Sequence, residues 1–226
     1  MTTRNDTPTA KQLLEQMFAK RGYLLPYHRL LGESDPALLA TYDELYTRLT
    51  LNERSLTLEE REIVWAALLA TTREKSGAFH LDRGLKAGMT PESISDSMAI
   101  AAACEAFDAL NFSHRAFPDW VSEELAMKRY ATLFEASRGS VPEAIAEVAG
   151  VVCHAARRNA AGMRVHLVRA FGIGVRREQM AEGLSYVLLH RGGPTMIEAA
   201  ACWELAANEL GVPGPYQDEE AGFNPA

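Results

Sequence analysis

The chain has 226 residues, of which 47% are hydrophobic and 23% are charged, a composition that is ordinary for a globular protein. Lys and Arg number 23 against 30 Asp and Glu, a net charge of −7, which argues against nucleic acid as a partner because binding to phosphates usually needs a basic surface. No apolar run approaches the roughly 18 residues of a membrane span, and the polar first twelve residues have no signal-peptide core. We therefore expect a cytoplasmic protein with no membrane partner.

Helices are predicted through most of the chain, because Ala and Leu dominate and almost no segment alternates like a β-strand. The first predicted helix covers 9–21 and ends at Gly22. The segment YLLPYHRLLGESDP, which prolines punctuate, is predicted to be irregular, and the next helix covers 36–49. Thr57 and Glu60 then form a capping-box pattern before EIVWAALLATTRE, a helix apolar on most sides that we expect in the core.

Further along the chain, a helix that contains His80 is predicted to end at Gly88, and an Ala-rich helix follows over 93–110. Residues 117–138 are predicted to form a charged helical connector. The tail after Leu210 is rich in Pro and Gly, and we expect it to be loose or to wrap around a neighbour.

An internal repeat is the most informative feature of the sequence. Each copy contains His-Leu, a Gly eight residues after the His and a Glu four residues after that Gly. At an offset of 86 residues, the matched pairs are His80 and His166, Leu81 and Leu167, Gly88 and Gly174, Glu92 and Glu178, and Ile94 and Met180. This register predicts a duplicated helical unit with a left-handed glycine cap and an acid near the next helix start. The predicted divisions are 1–116, a first unit with its leading arm; 117–138, the connector; 139–211, a second unit; and 212–226, a tail.

The spacing of His80, Gly88 and the following MTPESI resembles that of the carboxymuconolactone decarboxylase family, which includes the alkylhydroperoxidase D-like proteins. The upstream segments GYLLPYHRLLGESDP and LEEREIVWAAL resemble the family's entry segment, and HRGGP from His190 resembles its Tyr-x-Gly-x-Pro turn. The first copy has only CEAFD, from Cys104, at the place of this turn. The resemblance covers roughly residues 20–115 and 140–210. It implies an all-α fold of two fused units packed as one body and, because single-unit members form hexamers, a homotrimer of fused pairs.

The peroxidase branch of this family carries Cys-x-x-Cys seven and four residues before the His. The residues at those places here are Arg73 and Ser76 in the first copy and Asn159 and Gly162 in the second. The three cysteines, Cys104, Cys153 and Cys202, lie elsewhere and form no such motif. Disulfide exchange needs an attacking thiolate and a resolving thiol, so peroxidase chemistry is disfavoured. The decarboxylase branch carries Arg-Glu at the place of Arg73-Glu74, as this chain does.

The resemblance to that branch implies a cofactor-independent carbon–carbon lyase acting on a small aromatic-derived or lactone acid, as in aromatic compound catabolism. His80 is the predicted acid and base, with His166 as a second candidate, because imidazole titrates near neutrality. Glu62 and Glu147 lie 18 and 19 residues before these histidines, near the distance at which a Glu relays protons in the thiol branch. The alternatives are histidines that only bond neighbouring helices and glutamates that are solvated helix charges.

Five further residues are predicted to contact substrate. Arg73 could hold a carboxylate through paired hydrogen bonds, although Arg73 and Glu74 could equally form a surface pair at a helix end. Tyr27 and His28 lie in the segment predicted to be irregular, either at a pocket mouth or in a packed loop. His190, at the place of the family's Tyr, is predicted to line the second pocket.

No His-x-x-x-His pattern and no carboxylate cluster has metal-ligand spacing, so we expect neither a metal nor another cofactor. His114 and His154 belong to no pattern. Two other functions stay open: a non-catalytic binding or scaffold protein of the same fold, and an alkylhydroperoxidase-type antioxidant.

Overall fold

The computed structural model describes residues 8–216, and within that range it contains helices and no strand. The α-helices are α1 Ala10–Arg21, α2 Pro26–Ser34, α3 Pro36–Thr50, α4 Leu58–Thr72, α5 Phe79–Ala87, α6 Pro91–Ala116, α7 Glu123–Arg138, α8 Glu143–Ala156, α9 Ala160–Gly172, α10 Arg177–Ser185 and α11 Val187–Leu210. A short 3₁₀ helix covers Lys75–Gly77. The predicted all-α class is confirmed. Every helix in the described range is too short or too polar to cross a lipid bilayer.

The chain divides into two compact units, residues 1–52 and 53–226. The first unit contains α1, α2 and α3, which pack around Leu13, Met17 and Leu39. The predicted first helix is confirmed, because the Thr9 hydroxyl caps its start and Gly22 ends it with φ 80°. This left-handed conformation costs glycine little.

The prediction that YLLPYHRLLGESDP is irregular is wrong, since Pro26–Ser34 is helix α2. Pro26 is the first residue of this helix, where its missing N–H would have had no helical partner. His28 Nδ1 accepts the backbone N–H of Leu25 at 3.0 Å and so caps the helix start. Asp35 then caps α3 by accepting the N–H of Leu38 at 3.0 Å.

In the second unit, α4 begins at the predicted capping box, in which Thr57 and Glu60 bond each other's backbone N–H groups. Its residues from Val64 to Leu68 have no exposed surface, because α5, α6 and α8 pack around it. This helix therefore lies in the core, as predicted. Since its apolar surface is covered within the chain, it supplies no argument for oligomerisation.

The predicted glycine caps are also present. Gly88 ends α5 with φ 116°, and Gly174 follows α9 with φ 88°. The Thr90 hydroxyl accepts the N–H of Ser93 and starts α6. Glu178 lies in the first turn of α10, as Glu92 lies in that of α6. The two series of elements thus follow the same order around their histidines.

Helix α7 occupies Glu123–Arg138 of the segment interpreted as a connector, and it packs on α6. Helix α11 is kinked at Gly192, which has φ 74°, where HRGGP resembles the family turn. The indole N–H of Trp203 donates to the carbonyl of Pro213 at 2.8 Å and holds the start of the tail. The rest of the predicted tail, 217–226, lies outside the described residues.

Candidate functional site

The first predicted histidine and its glutamate are in contact inside the second unit. His80 Nδ1 on α5 lies 2.7 Å from Glu62 Oε2 on α4, and the two side chains are 2% and 0% exposed. Arg61 donates to the other carboxylate oxygen of Glu62 from Nη2 at 2.8 Å and from Nε at 3.0 Å. With Glu62 accepting the Nδ1–H, the neutral ring keeps its lone pair on Nε2, which is the base form needed for proton transfer.

Aromatic rings enclose this pair. The Trp65 ring stacks on His80 at 4.3 Å between centroids and on Tyr186 at 4.8 Å. The indole Nε1 of Trp65 is buried and has no acceptor among the described residues. Burial lowers the pKa of His80 to about 4, while Glu62 acts in the opposite direction. His80 is therefore neutral at pH 7.

The second predicted pair has the same geometry. His166 Nδ1 on α9 lies 2.6 Å from Glu147 Oε2 on α8. Arg169 Nη2 is 2.7 Å from Glu147 Oε1, close enough for an ion pair although not aligned for a good hydrogen bond. Burial lowers the pKa of His166 to about 3 and raises that of Glu147 to about 7. Because both shifts favour uncharged groups, this interior strongly disfavours charge.

Sequence reasoning missed the arginine beside each histidine. Arg83 Nη2 lies 3.4 Å from both ring nitrogens of His80, and Arg169 holds the corresponding place after His166. Two signals could have identified them. Each is three residues after its histidine, which places it on the same helix face, and the offset between the two arginines is the 86 residues of the repeat.

Three more residues surround His166 and were not predicted as site residues. The Tyr130 hydroxyl lies 2.5 Å from Nε2 of His166 and 3.0 Å from Nε2 of His154. Cys104 Sγ is 3.9 Å from the same hydroxyl. His154 follows Glu147 by seven residues, two turns along one face of α8, which is a signal that the sequence offered. Tyr130 and Cys104 lie on other helices and offered none.

Arg73 and Glu74 are placed at the surface end of α4. Arg73 has a left-handed backbone, with φ 57°, and its Nη2 donates to Glu105 at 2.8 Å. Glu74 accepts the N–H of Ser76 at 2.9 Å. Neither side chain is brought to His80. Arg73 instead lines a surface cavity of about 530 Å³ that contains three other arginines. They are Arg157, Arg158 and Arg191.

Tyr27 and His28 lie in the first compact unit. The Tyr27 hydroxyl bonds that of Tyr42, and His28 has no exposed surface and caps α2. Burial is the main cause that lowers the pKa of His28 to about 4. These contacts account for both side chains without a ligand, and their place at a pocket mouth stays a prediction.

His190 lies beside the first pair, although the repeat placed it with the second. Its Nδ1 is 3.4 Å from Thr72 Oγ1, and its ring centroid is 5.3 Å from that of Trp65. It lies in the first turn of α11, before the kink at Gly192. It thus joins the surroundings of His80 rather than those of His166.

Two of the positions at which the peroxidase branch carries its cysteines hold polar residues that make structural hydrogen bonds. Asn159 Oδ1 caps α9 by accepting the N–H of Gly162 at 2.9 Å. Ser76 bonds Glu74. The three cysteines are buried and unbridged, and none lies at those places.

Residues 36–117 match the family model described as the carboxymuconolactone decarboxylase family. This part of the chain is similar to that family. No curated protein and no solved structure matched the chain. The matched segment includes Glu62, His80 and Arg83 and ends before His166, so the match covers the first pair alone.

A pair of glycines on α9 permits a test of packing at the second pair. A Cβ at Gly162 would overlap the His154 ring, whereas one at Gly172 would meet no atom within 4 Å. We expect Gly162→Ala to lower the free energy of unfolding by about 1–3 kcal/mol, the usual cost of overpacking. Gly172→Ala should be neutral or slightly stabilising, because Ala is the better helix former. Urea unfolding followed by circular dichroism measures both, and equal stabilities of the two variants would contradict the packing described.

Acid should destabilise the protein through His80. Its pKa is about 4 in the folded chain against 6.5 for an ordinary histidine. Between these values the unfolded chain binds a proton that the native state does not, so stability falls as the pH is lowered from 6.5 to 4. The expected slope is up to about 1.4 kcal/mol per pH unit for this residue. Glu62, Arg83 and His190 are the charged or titratable groups that influence the ring.

Urea unfolding at pH 7, 6 and 5 checks this slope, with His80→Gln as the comparison. The variant should lose stability less steeply than the unmodified protein over this interval. Identical slopes would contradict the assignment of a depressed pKa to His80.

Proposed function

We propose that this protein is a member of the carboxymuconolactone decarboxylase family and a cofactor-independent carbon–carbon lyase that removes carbon dioxide from a small aromatic-derived or lactone acid. The observation that carries the proposal is the buried Glu62–His80 pair with Arg83 against its ring, inside the segment that matches the family. A carboxylate that fixes an imidazole, with a cation beside it, is suited to proton transfer next to developing negative charge.

In the proposed reaction, the bond between the substrate carbon and its carboxylate breaks and carbon dioxide leaves. The electron pair stays on the substrate as an enolate of a neighbouring carbonyl. The cationic Arg83 stabilises this charge in a site from which water is excluded. Imidazolium at His80 then protonates the carbon, and water returns a proton to the ring, so that each turnover consumes one proton.

The low pKa of His80 fits this sequence once an acid is bound. In the free protein burial holds the pKa near 4, and the ring is neutral. A substrate anion beside the ring raises that pKa, because a nearby negative charge favours imidazolium. Glu62 orients Nε2 and offsets part of the new positive charge. The indole N–H of Trp65 is a further donor for a substrate oxygen.

We assign the chemistry to the first pair and propose that the second arose by duplication. The matching order of helices, glycine caps, glutamates and arginines supports the duplication. Unlike His80, His166 has its second ring nitrogen 2.5 Å from Tyr130, which leaves no lone pair directed at a substrate. His166 and Glu147 therefore have another role.

The proposed substrate is anionic, and the four-arginine cavity that includes Arg73 is a favourable place for an acid to approach a chain of net charge −7. Thr72, beside Arg73, contacts His190, and His190 contacts Trp65.

We also retain the homotrimer of fused pairs as a proposal that rests on the family resemblance. Light scattering that gave a monomer of 24.8 kDa would overturn the oligomer.

A substrate screen in deuterated water tests the function. The full-length protein is incubated with a panel of lactone acids and aromatic-derived acids, and products are identified by mass spectrometry. We expect one acid to release carbon dioxide and to gain one deuterium on the carbon that carried the carboxylate. Acids that bind and are recovered unchanged would indicate a binding protein instead. Peroxide consumption that stops when the cysteines are alkylated would indicate the antioxidant.

A further inference from the structure

The strongest unassigned feature is a buried group of metal-binding atoms around the second histidine. Cys104 on α6, His154 on α8 and His166 on α9 each direct one ligand atom into the same space, and these atoms all lie within 4.8 Å of one another. All three residues are buried, with exposures of 0%. They are far apart in sequence, which is why no ligand spacing along the chain indicates a metal site.

A fourth metal-binding atom lies between these three atoms. The Tyr130 hydroxyl on α7 is 2.5 Å and 3.0 Å from Nε2 of His166 and His154, and 3.9 Å from Cys104 Sγ. Four helices thus contribute two imidazole nitrogens, one sulfur and one oxygen to a single point in the core. We propose that Cys104, Tyr130, His154 and His166 bind one zinc ion.

The surroundings of His166 are those expected of a metal ligand. A ligating histidine usually donates its other ring N–H to a carboxylate, which orients the ring. His166 Nδ1 has such a partner in Glu147 at 2.6 Å, and Arg169 lies against the other oxygen of that carboxylate. Nε2 of His166 is thereby directed at the common point.

Small residues hold both imidazoles in place. A Cβ at Gly150 would lie 2.7 Å from Nδ1 of His166, and one at Gly162 would overlap the ring of His154. The two rings stack at 5.3 Å between centroids. Both positions therefore need glycine for the rings to converge.

The donors favour zinc over harder ions. Magnesium and calcium prefer oxygen ligands, whereas thiolate and imidazole suit zinc in a tetrahedral site. With Zn–N near 2.0 Å and Zn–S near 2.3 Å, tetrahedral donors are about 3.3–3.6 Å apart. The sulfur and nitrogen donors must therefore move closer together by roughly 1 Å when zinc binds. The Tyr130 oxygen must move away from the two imidazole nitrogens to become the fourth ligand.

Zinc binding displaces the thiol proton of Cys104 and the phenol proton of Tyr130. Two anionic and two neutral ligands then balance the dication, which leaves no net charge in the core. Four protein ligands make a closed site, typical of structural zinc. This role explains why His166 is not available for proton transfer.

The test refolds the full-length protein, stripped with a chelator in denaturant, in the presence of zinc or of cobalt(II) as a spectroscopic substitute. We expect one zinc per chain by elemental analysis and a higher melting temperature than in metal-free buffer. Cobalt should give a thiolate charge-transfer band and the strong visible bands of a tetrahedral site.

Cysteine variants locate the ion. Cys104→Ser should abolish the cobalt charge-transfer band, whereas Cys202→Ser, also a buried cysteine but outside the cluster, should retain it together with one zinc. Failure of the unmodified protein to bind zinc would overturn the proposal. So would a band that survives in Cys104→Ser, or one that is lost in Cys202→Ser.

The result is independent of the proposed lyase. His80→Gln leaves the cluster untouched and should keep its zinc. If the lyase proposal proved wrong, the zinc measurement would still test the metal site.

Discussion

Replacing His80 by Gln is expected to lower turnover about 100- to 10,000-fold on the acid identified by the screen, the range typical of a proton-transfer residue. The amide has nearly the polarity of imidazole but neither takes up nor releases a proton near neutral pH. The enolate would then depend on water for its proton. Steady-state kinetics should place the loss mainly in kcat, since the amide can still contact a bound acid.

Glu62→Gln tests how the same histidine is positioned. The ring would remain, but the carboxylate that fixes its orientation and offsets its positive charge would be gone. We expect a large but smaller loss of kcat than in His80→Gln, with an altered pH profile. His114→Gln, a half-buried histidine bonded to Asn111 at 3.1 Å, is the matched control and should retain full turnover. Full activity of His80→Gln would contradict the assignment of His80 as the proton-transfer residue.

Trp65→Ala is expected to have the largest effect on stability, a loss of about 3–5 kcal/mol in the free energy of unfolding. The Trp65 side chain has no exposed surface and is stacked between His80 and Tyr186. Truncation removes those contacts and leaves a cavity that the surrounding helices fill only in part. A loss of this size is a large share of the stability of an ordinary domain.

Urea unfolding followed by circular dichroism measures the effect. Trp120→Ala is the control, because Trp120 is 78% exposed and its removal should change stability by less than about 0.5 kcal/mol. If the two variants lost equal stability, Trp65 would not be the core residue that the packing of α4 implies.

Local signals accounted for much of the fold. Thr9, the Thr57–Glu60 box and Thr90 start helices, and Gly22 and Gly88 end them, because capping depends on a few neighbouring residues. The same logic failed at Pro26, where a proline that looked like an interruption is the first residue of α2. Whether a proline ends or begins a helix depends on which backbone groups remain to be bonded after it.

The sequence by itself determined the helical class, the buried character of α4 and the spacing that relates His80 to His166, since these follow from residue type and from positions along one chain. Only the tertiary structure decided three other features. Each histidine contacts its glutamate, and His190 lies beside Trp65. The third feature is the cluster formed by Cys104, Tyr130, His154 and His166. The physical reason is that these side chains lie on different helices, whose packing depends on shape and volume across the whole core. The spacing of residues along the chain does not show how the helices pack.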